Sequence, residues 1–213
     1  MSVFSDEEKQ QIAQAIGEAE ATTSGEIVVV VAKDSDDYRF IALLWAALLA
    51  LTLPLLLIYA PRLTGWRLAF AGPEVLYLIQ LAAFIVLALF FQWSPVRYAL
   101  APRRVRARRV RRAALEQFIA RNLHTTSQRT GVLIYVSLAE RQAEIIADDG
   151  IASKTDPKVW QEAVAALTNN IDAGHPVDGF VATIHHCGQA LAAHFPPGLS
   201  EINEQPNHLI ELD

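Results

Sequence analysis

The chain has 213 residues, of which 52% are hydrophobic and only 19% are charged, so it is too apolar for a wholly soluble protein. It carries a net charge of −5 and one cysteine, Cys187, which excludes an internal disulfide and with it a disulfide-rich secreted scaffold. The N-terminal residues are polar and acidic, and they lack the apolar segment that a signal peptide requires.

Residues 1–39 are predicted to hold one helix and one strand of a soluble domain. A helix is expected from Asp6 to about Thr22, because Ser5 and Glu8 form a capping box and apolar residues recur at helical spacing. The following run, 26–32, consists largely of valine, which is typical of a buried strand.

Residues 40–93 are predicted to form a transmembrane helical hairpin. The segments 40–60 and 75–93 contain no charged residue. At 1.5 Å per residue they form helices of about 31 and 28 Å, which matches a hydrocarbon core of about 30 Å. Aromatic residues flank the hairpin as interfacial anchors, with Tyr38, Trp93 and Tyr98 at one end and Tyr59, Trp66 and Tyr77 at the other. The alternative, a hairpin buried in a soluble core, is disfavoured because two such segments rarely occur together in soluble domains.

The basic residues predict the orientation of the hairpin. Eight arginines lie between Arg97 and Arg112 with no acidic residue among them, whereas the connection between the helices holds only Arg62 and Arg67. Basic residues accumulate on the cytoplasmic side of a membrane. We therefore expect an integral protein of the cytoplasmic (inner) membrane with both termini in the cytoplasm.

Residues 94–213 are predicted to complete the soluble domain. Asp156 followed by Pro157 is typical of a helix start, and Gly174 ends that helix. The remaining pattern predicts an arginine-rich helix over 102–123, strands over 131–138 and 142–147, a last helix over 177–194, and a short edge strand over 208–212.

These elements favour an α/β fold with a small mixed sheet and helices on both faces, interrupted by the two-helix transmembrane hairpin. The long connection between the first two strands favours a parallel pair. The tight turn at residues 139–141 favours an antiparallel partner for the third strand.

Three stretches resemble the TPM domain family: Glu26-Ile-Val-Val-Val-Val, Thr130-Gly-Val-Leu-Ile-Tyr-Val-Ser and Asp148-Asp-Gly-Ile-Ala-Ser-Lys-Thr-Asp. The third is similar to the family's glycine loop at a strand end, followed by an aspartate that opens a helix. The closing Asn207-His-Leu-Ile-Glu-Leu is similar to a membrane-anchored bacterial branch with a hydrophobic insert. The resemblance implies a three-layer α/β/α sandwich. It also implies acid-phosphatase-like activity and divalent-metal binding for some members, and assembly or maintenance of membrane complexes for others.

Asp148, Asp149 and Asp156 are the candidate metal ligands. They lie around a glycine turn, and hard cations such as Ca²⁺ or Mg²⁺ bind several carboxylate and carbonyl oxygens. A simpler interpretation makes Asp156 a helix cap and 148–150 a turn. The family usually has a glycine and a bulky residue where Asp148 and Asp149 stand, so catalytic residues stay unassigned. A second acidic cluster, at residues 34–37, is expected at the opposite end of the sheet.

The arginine-rich segment is the candidate membrane surface. Basic runs also bind nucleic acid, but this one directly follows a membrane helix, where anionic head groups attract basic residues by about 1 kcal/mol each. We therefore expect contact with the lipid bilayer and no nucleic acid, with an acidic protein partner as the remaining alternative. The residues are Arg103, Arg104, Arg106, Arg108, Arg109, Arg111 and Arg112.

The neighbouring residues His185, His186 and Cys187 have the side chains of metal ligands. Adjacent residues of a helix point about 100° apart, so the three cannot face one ion. No catalytic triad, phosphate-binding glycine loop or zinc spacing is visible elsewhere in the sequence.

The expected function is a membrane-tethered, TPM-like interaction or accessory module at the cytoplasmic membrane surface. It would bind a membrane-associated protein partner and support a membrane protein complex. The alternative, which rests on the resemblance, is a divalent-metal-dependent, acid-phosphatase-like hydrolase. The sequence leaves a homo-oligomer open.

Overall fold

The computed structural model describes residues 3–64, 72–126, 128–197 and 206–212. The chain forms two compact units. Met1–Asp36 and Ala107–Asp213 form the sheet unit, and Asp37–Arg106 forms the hairpin unit.

The sheet unit begins with helix α1, Asp6–Glu20, and strand β1, Glu26–Ala32. The predicted capping box is present: Ser5 Oγ accepts a hydrogen bond from the Glu8 N–H (3.3 Å), and the Glu8 carboxylate accepts one from the Ser5 N–H (2.7 Å). The box pairs two backbone N–H groups at the start of the helix, and such a cap is worth about 1 kcal/mol. All seven residues of β1 are buried, as the valine-rich run predicts.

The strands form one four-stranded mixed sheet in the order β3-β2-β1-β4. Strand β1 pairs in parallel with β2, Gly131–Ser137, and with β4, Leu209–Leu212. Strand β2 pairs antiparallel with β3, Gln142–Ala147. The predicted parallel pair, the antiparallel hairpin and the C-terminal edge strand are therefore confirmed.

Each face of the sheet carries its own hydrophobic core, because successive side chains of a strand point to opposite faces. The odd-numbered residues from Ile27 to Val31 pack with α1, with α7, Pro157–Asp172, and with α8, Pro176–Ala192. The even-numbered residues pack with the apolar side of α5, Arg103–Ala120. The sheet unit therefore has helices on both faces.

Helix α7 starts and ends at the predicted residues. Asp156 accepts a hydrogen bond from the Lys158 N–H (2.9 Å), and Pro157 occupies the first helical turn. Gly174, which follows the helix, has φ +84°, a backbone conformation that glycine adopts without steric cost.

Two short helices of the sheet unit were not predicted: α6, Asp149–Ala152, and a 3₁₀ turn, Leu123–Thr125. Segments of three or four residues are too short to show an apolar period. Asp148 caps α6, whereas the 3₁₀ turn has no side-chain cap and is held by the burial of Leu123, which the sequence does not display.

The hairpin unit consists of α2, Arg39–Thr64, α3, Pro73–Phe91, and the unpredicted short helix α4, Ser94–Leu100. Helices α2 and α3 are long and apolar enough to span a membrane, with mean hydropathies of 2.6 and 2.3. Only 17% of the most apolar stretch of α2 and 6% of that of α3 is buried inside the chain, whereas a core helix of a soluble protein is mostly buried.

Small residues allow α2 and α3 to pack closely. Ala42 and Ala46, four residues apart on α2, are fully buried in a cluster with Phe91. Partly buried residues of α3 and α4 complete this cluster: Phe84, Leu87, Ala88, Val96 and Leu100.

Two of the three aromatic residues predicted at one end of the hairpin lie together, and the third, Trp93, is exposed. Tyr38 packs edge-on against Tyr98, with ring centroids 5.6 Å apart, and the Arg97 guanidinium lies 5.2 Å from the Tyr98 ring centroid. At the other end, Trp66 and Arg67 lie outside the described residues.

Candidate functional site

The side chain of Asp148 is held inside the sheet unit. Its carboxylate is 4% exposed, accepts a hydrogen bond from the Asp149 N–H (2.7 Å) and lies 3.1 Å from Arg129 Nη2. These bonds cap α6 and fix the turn before β2 to the end of β3.

Asp149 and Asp156 have different surroundings from Asp148. The Asp149 side chain is 86% exposed and contacts the same arginine at 3.5 Å, whereas Asp156 caps α7. Within residues 3–64, 72–126, 128–197 and 206–212, no group of three or more His, Cys, Asp or Glu side chains is arranged to hold a metal ion. The site for Ca²⁺ or Mg²⁺, and the hydrolase that would depend on it, stay predictions that this geometry does not support.

Gly150, in the predicted glycine loop, is required by close packing and not by a positive φ. A Cβ on Gly150 would lie 2.4 Å from the carbonyl oxygen of Arg129 and 2.5 Å from that of Gln128. Both oxygens belong to the backbone, which cannot rotate away as a side chain can. The start of α6 therefore lies directly against the turn before β2.

The second acidic cluster lies at the opposite end of the sheet from Asp148, as predicted. The Asp148 N–H donates to the Gly131 carbonyl at the start of β2 (2.9 Å). Residues 33–36 follow the last residue of β1, Ala32, which lies opposite Ser137 at the end of β2. About seven residues of extended strand, roughly 20 Å, separate the two ends.

A buried carboxylate, Glu140, organises this second end. It is 1% exposed and accepts hydrogen bonds from the Ser35 N–H (3.0 Å) and the Ser137 hydroxyl. Ser35 Oγ lies 3.1 Å from the Tyr135 hydroxyl, and burial raises the pKa of Tyr135. Arg109 of α5 pairs with Asp36. Since Ser137 is fully buried, its hydroxyl cannot reach a substrate, and the cluster ties the ends of β1 and β2 together.

Sequence reasoning missed Glu140, because a glutamate in a polar turn is ordinarily exposed. Only the register of β2 and β3 places it against the loop that follows β1.

A carboxyl group with a perturbed pKa lies where α1 meets β1. Glu20 accepts a hydrogen bond from the Ile27 N–H (2.9 Å). Its pKa is raised to about 7, chiefly by burial. The neighbouring Glu26 also raises this pKa, while the hydrogen bonds from the Ile27 N–H and the Asn207 side chain lower it. This group lies at the junction of α1, β1 and the segment before β4, and the sequence contained no signal for it.

Helix α5 presents a basic and apolar surface on the side opposite the core. Its buried residues are Val110, Ala114 and Phe118. Its exposed residues on the other side include Leu115 and Ile119, the latter 60% exposed. We call Arg108, Arg111, Arg112, Leu115 and Ile119 the α5 surface. In the described part of the sheet unit, the other exposed large hydrophobic side chain is Val3.

The ion pairs of the α5 surface are themselves exposed. Arg111 pairs with Glu144 of β3, and Arg112 pairs with Glu116 one turn later on α5 (2.9 Å). Exposed pairs of this kind contribute little to stability. The arginines therefore remain able to exchange these partners for other anionic groups.

The three potential ligands on α8 point in different directions, as predicted. His185 lies 4.0 Å from Glu18 of α1, and Cys187 is fully buried, which raises its pKa to about 12. His186 lines an open groove of about 310 Å³ with Lys154 and Asp156. The three residues do not form one metal site.

No protein-family model matches the chain, and the comparison with curated proteins finds no match. Among solved structures, the chain is similar to the NMR structure of the BA42 protein from the psychrophilic bacterium Bizionia argentinensis. The TM-score is 0.59 and the identity is 21%, over 99% of this chain and 96% of that chain. At this identity the similarity concerns the fold alone, and the resemblance to the TPM family stays a prediction.

Proposed function

We propose that the chain is a membrane-tethered accessory module. The hairpin unit spans the cytoplasmic membrane with both termini in the cytoplasm. The sheet unit takes the interaction role that its resemblance to the TPM family implies, and it binds a membrane-associated protein that is part of a larger complex.

The observation that carries the proposal is the apolar surface of the hairpin unit. Of the 23 exposed large hydrophobic side chains in the described ranges, 20 lie between Phe40 and Trp93. If covering each half-exposed side chain is worth about 1 kcal/mol, the group amounts to about 20 kcal/mol. A free energy of this size favours transfer of the surface from water into an apolar surrounding, and the length of the two helices fits a bilayer.

The proposed orientation rests on the arginines that follow the hairpin. Arg103 begins α5 only 12 residues after α3 ends, within the distance over which basic residues determine orientation. Arg103, Arg104 and Arg106 would bind anionic head groups on the cytoplasmic side.

Orientation is tested in spheroplasts and in inverted inner-membrane vesicles. We expect the chain to stay with the membrane after carbonate washing. A protease site inserted within residues 65–71 should be cut from the periplasmic side, while one at the C-terminus should be cut only in inverted vesicles. Release by carbonate refutes the membrane anchor, and the reverse cleavage pattern refutes the orientation.

The α5 surface is the proposed docking site for the protein partner. For its arginines we therefore adopt the alternative of an acidic protein partner, and lipid contact is assigned to Arg103, Arg104 and Arg106. Arginine is enriched in protein interfaces, the exposed Leu115 and Ile119 lose water when a partner covers them, and the positive charge favours an acidic partner. The Asp148 region is less suitable, because its central carboxylate is buried and holds α6 in place.

Partner binding is tested by affinity purification of the full chain from detergent extracts. A specific membrane-associated protein should copurify with the wild type and be lost from the double variant Leu115→Ser/Ile119→Ser. The control is Val3→Ser, which removes an exposed aliphatic side chain elsewhere on the sheet unit. Equal recovery by all three proteins, or recovery of chaperones alone, contradicts the proposed docking site.

A further inference from the structure

A glutamine lies near the middle of the second apolar helix. Gln80 is the eighth of the 19 residues of α3, so it lies about 3 Å from the helix midpoint. Its side chain is half-buried, and its carboxamide forms no hydrogen bond with any residue in the described ranges. At this depth neither end of the bilayer is within reach of a glutamine side chain, and hydrocarbon offers no hydrogen-bond partner.

The first helix lacks one backbone donor near the same depth, at a residue, Ala50, that is buried inside the hairpin unit. Pro54 has no N–H, so the carbonyl of Ala50, four residues earlier, lacks its usual donor in α2. Ala50 and Gln80 line the same open groove between α2 and α3, which has a volume of about 260 Å³. The other lining residues are Ala47, Leu51, Tyr77, Leu81 and Phe84.

We propose that this groove binds a second copy of the chain in the membrane, which rests on the proposed transmembrane role of the hairpin. A carboxamide both donates and accepts, so two copies related by a twofold axis pair their Gln80 side chains with each other. The small side chains of Ala47 and Ala50 permit the close approach that such an interhelical bond needs. A lipid chain would fill the volume but leave the Gln80 carboxamide unpaired.

The test uses full-length chains labelled with donor or acceptor fluorophores at the N-terminus and reconstituted in phosphatidylcholine–phosphatidylglycerol vesicles. Energy transfer measured over a range of protein-to-lipid ratios gives the dissociation constant of the dimer. Gln80→Leu removes two interhelical hydrogen bonds of modest strength. We therefore expect this substitution to raise the dissociation constant about tenfold or more. Ala47→Leu, which fills the groove and leaves the glutamine in place, should also weaken the dimer.

The matched control is Gln92→Leu. Gln92 caps the end of α3, where head groups and water can pair with its carboxamide, so its loss should change the dissociation constant less than twofold. If energy transfer falls equally in Gln80→Leu and Gln92→Leu, the assigned groove is overturned. It is also overturned if Gln80→Leu has the dissociation constant of the wild type.

Insertion is measured on the same vesicles by flotation after carbonate treatment. A wild-type chain that floats but shows no transfer at any ratio overturns the dimer and leaves the membrane anchor intact. A chain that does not float refutes the anchor and the dimer together. The groove could instead hold a different membrane protein. A chain that is monomeric and copurifies with such a protein through the groove also overturns the proposed dimer.

Discussion

Glu20 makes the stability of the sheet unit fall as the pH rises toward neutrality. Burial raises its pKa from an ordinary 4.5 to about 7, so between these values the folded chain holds a proton that the unfolded chain has lost. The derivative of the unfolding free energy with pH is then negative, and stability declines from about pH 4.5 to about pH 7.

The size of the effect follows from the two pKa values. At 1.36 kcal/mol per pKa unit, the difference corresponds to about 3 kcal/mol. Because the Glu20 side chain is only half-buried, screening by water lowers this to about 1–2 kcal/mol. Glu20→Gln should raise the free energy of unfolding by this amount at pH 8. The carboxamide is neutral and still accepts a hydrogen bond from the Ile27 N–H.

The assay is hydrogen exchange with mass spectrometry on the full chain in detergent micelles, read at the peptides of β1. At pH 8 we expect Glu20→Gln to raise the opening free energy of β1 by about 1–2 kcal/mol, and at pH 5 by close to zero. Comparing variant with wild type at each pH cancels the contribution of the six histidines. Glu18→Gln, an exposed change on the same helix, is the control. An equal gain at both pH values, or the same gain in the control, refutes the reasoning.

Three further predictions concern the packing of the sheet unit, each measured by denaturant unfolding in micelles or by thiol labelling. Gly150→Ala should destabilise the sheet unit by about 2–4 kcal/mol because its Cβ meets backbone oxygens, whereas Gly17→Ala, with 3.4 Å of clearance inside α1, should be neutral or stabilising. Asp148→Ala should cost about 1–3 kcal/mol through loss of the α6 cap and the Arg129 pair; a neutral effect would contradict its structural role. Cys187 should resist maleimide until the chain unfolds, and rapid labelling of the native protein would contradict its burial.

Most of the sheet unit could be predicted from local patterns. The valine-rich run of β1, the capping box at Ser5 and the Asp156-Pro157 helix start each act within a few residues of chain. The directions of β1, β2 and β3 followed from connection length, because a long connection favours a parallel neighbour and a tight turn permits only an antiparallel one. The parallel pairing of β4 with β1 was not predicted.

The candidate sites were harder to predict, because sequence proximity does not determine which groups meet. Asp148, Asp149 and Asp156 are close in sequence, yet one is buried against Arg129, one is exposed and one caps a helix. Conversely, Glu140 meets Ser35 across 105 residues of chain.

The sequence by itself determined where the chain is apolar enough to span a membrane, because hydropathy and length are properties of a single segment. It also determined the helix caps at Ser5 and Asp156 and the complete burial of the valine-rich strand β1. Only the tertiary structure decided which carboxyl groups are buried, that Leu115 and Ile119 of α5 face outward, and that Gln80 shares a groove with Ala50. Burial and pairing depend on groups that distant parts of the chain bring together, and no local pattern records them.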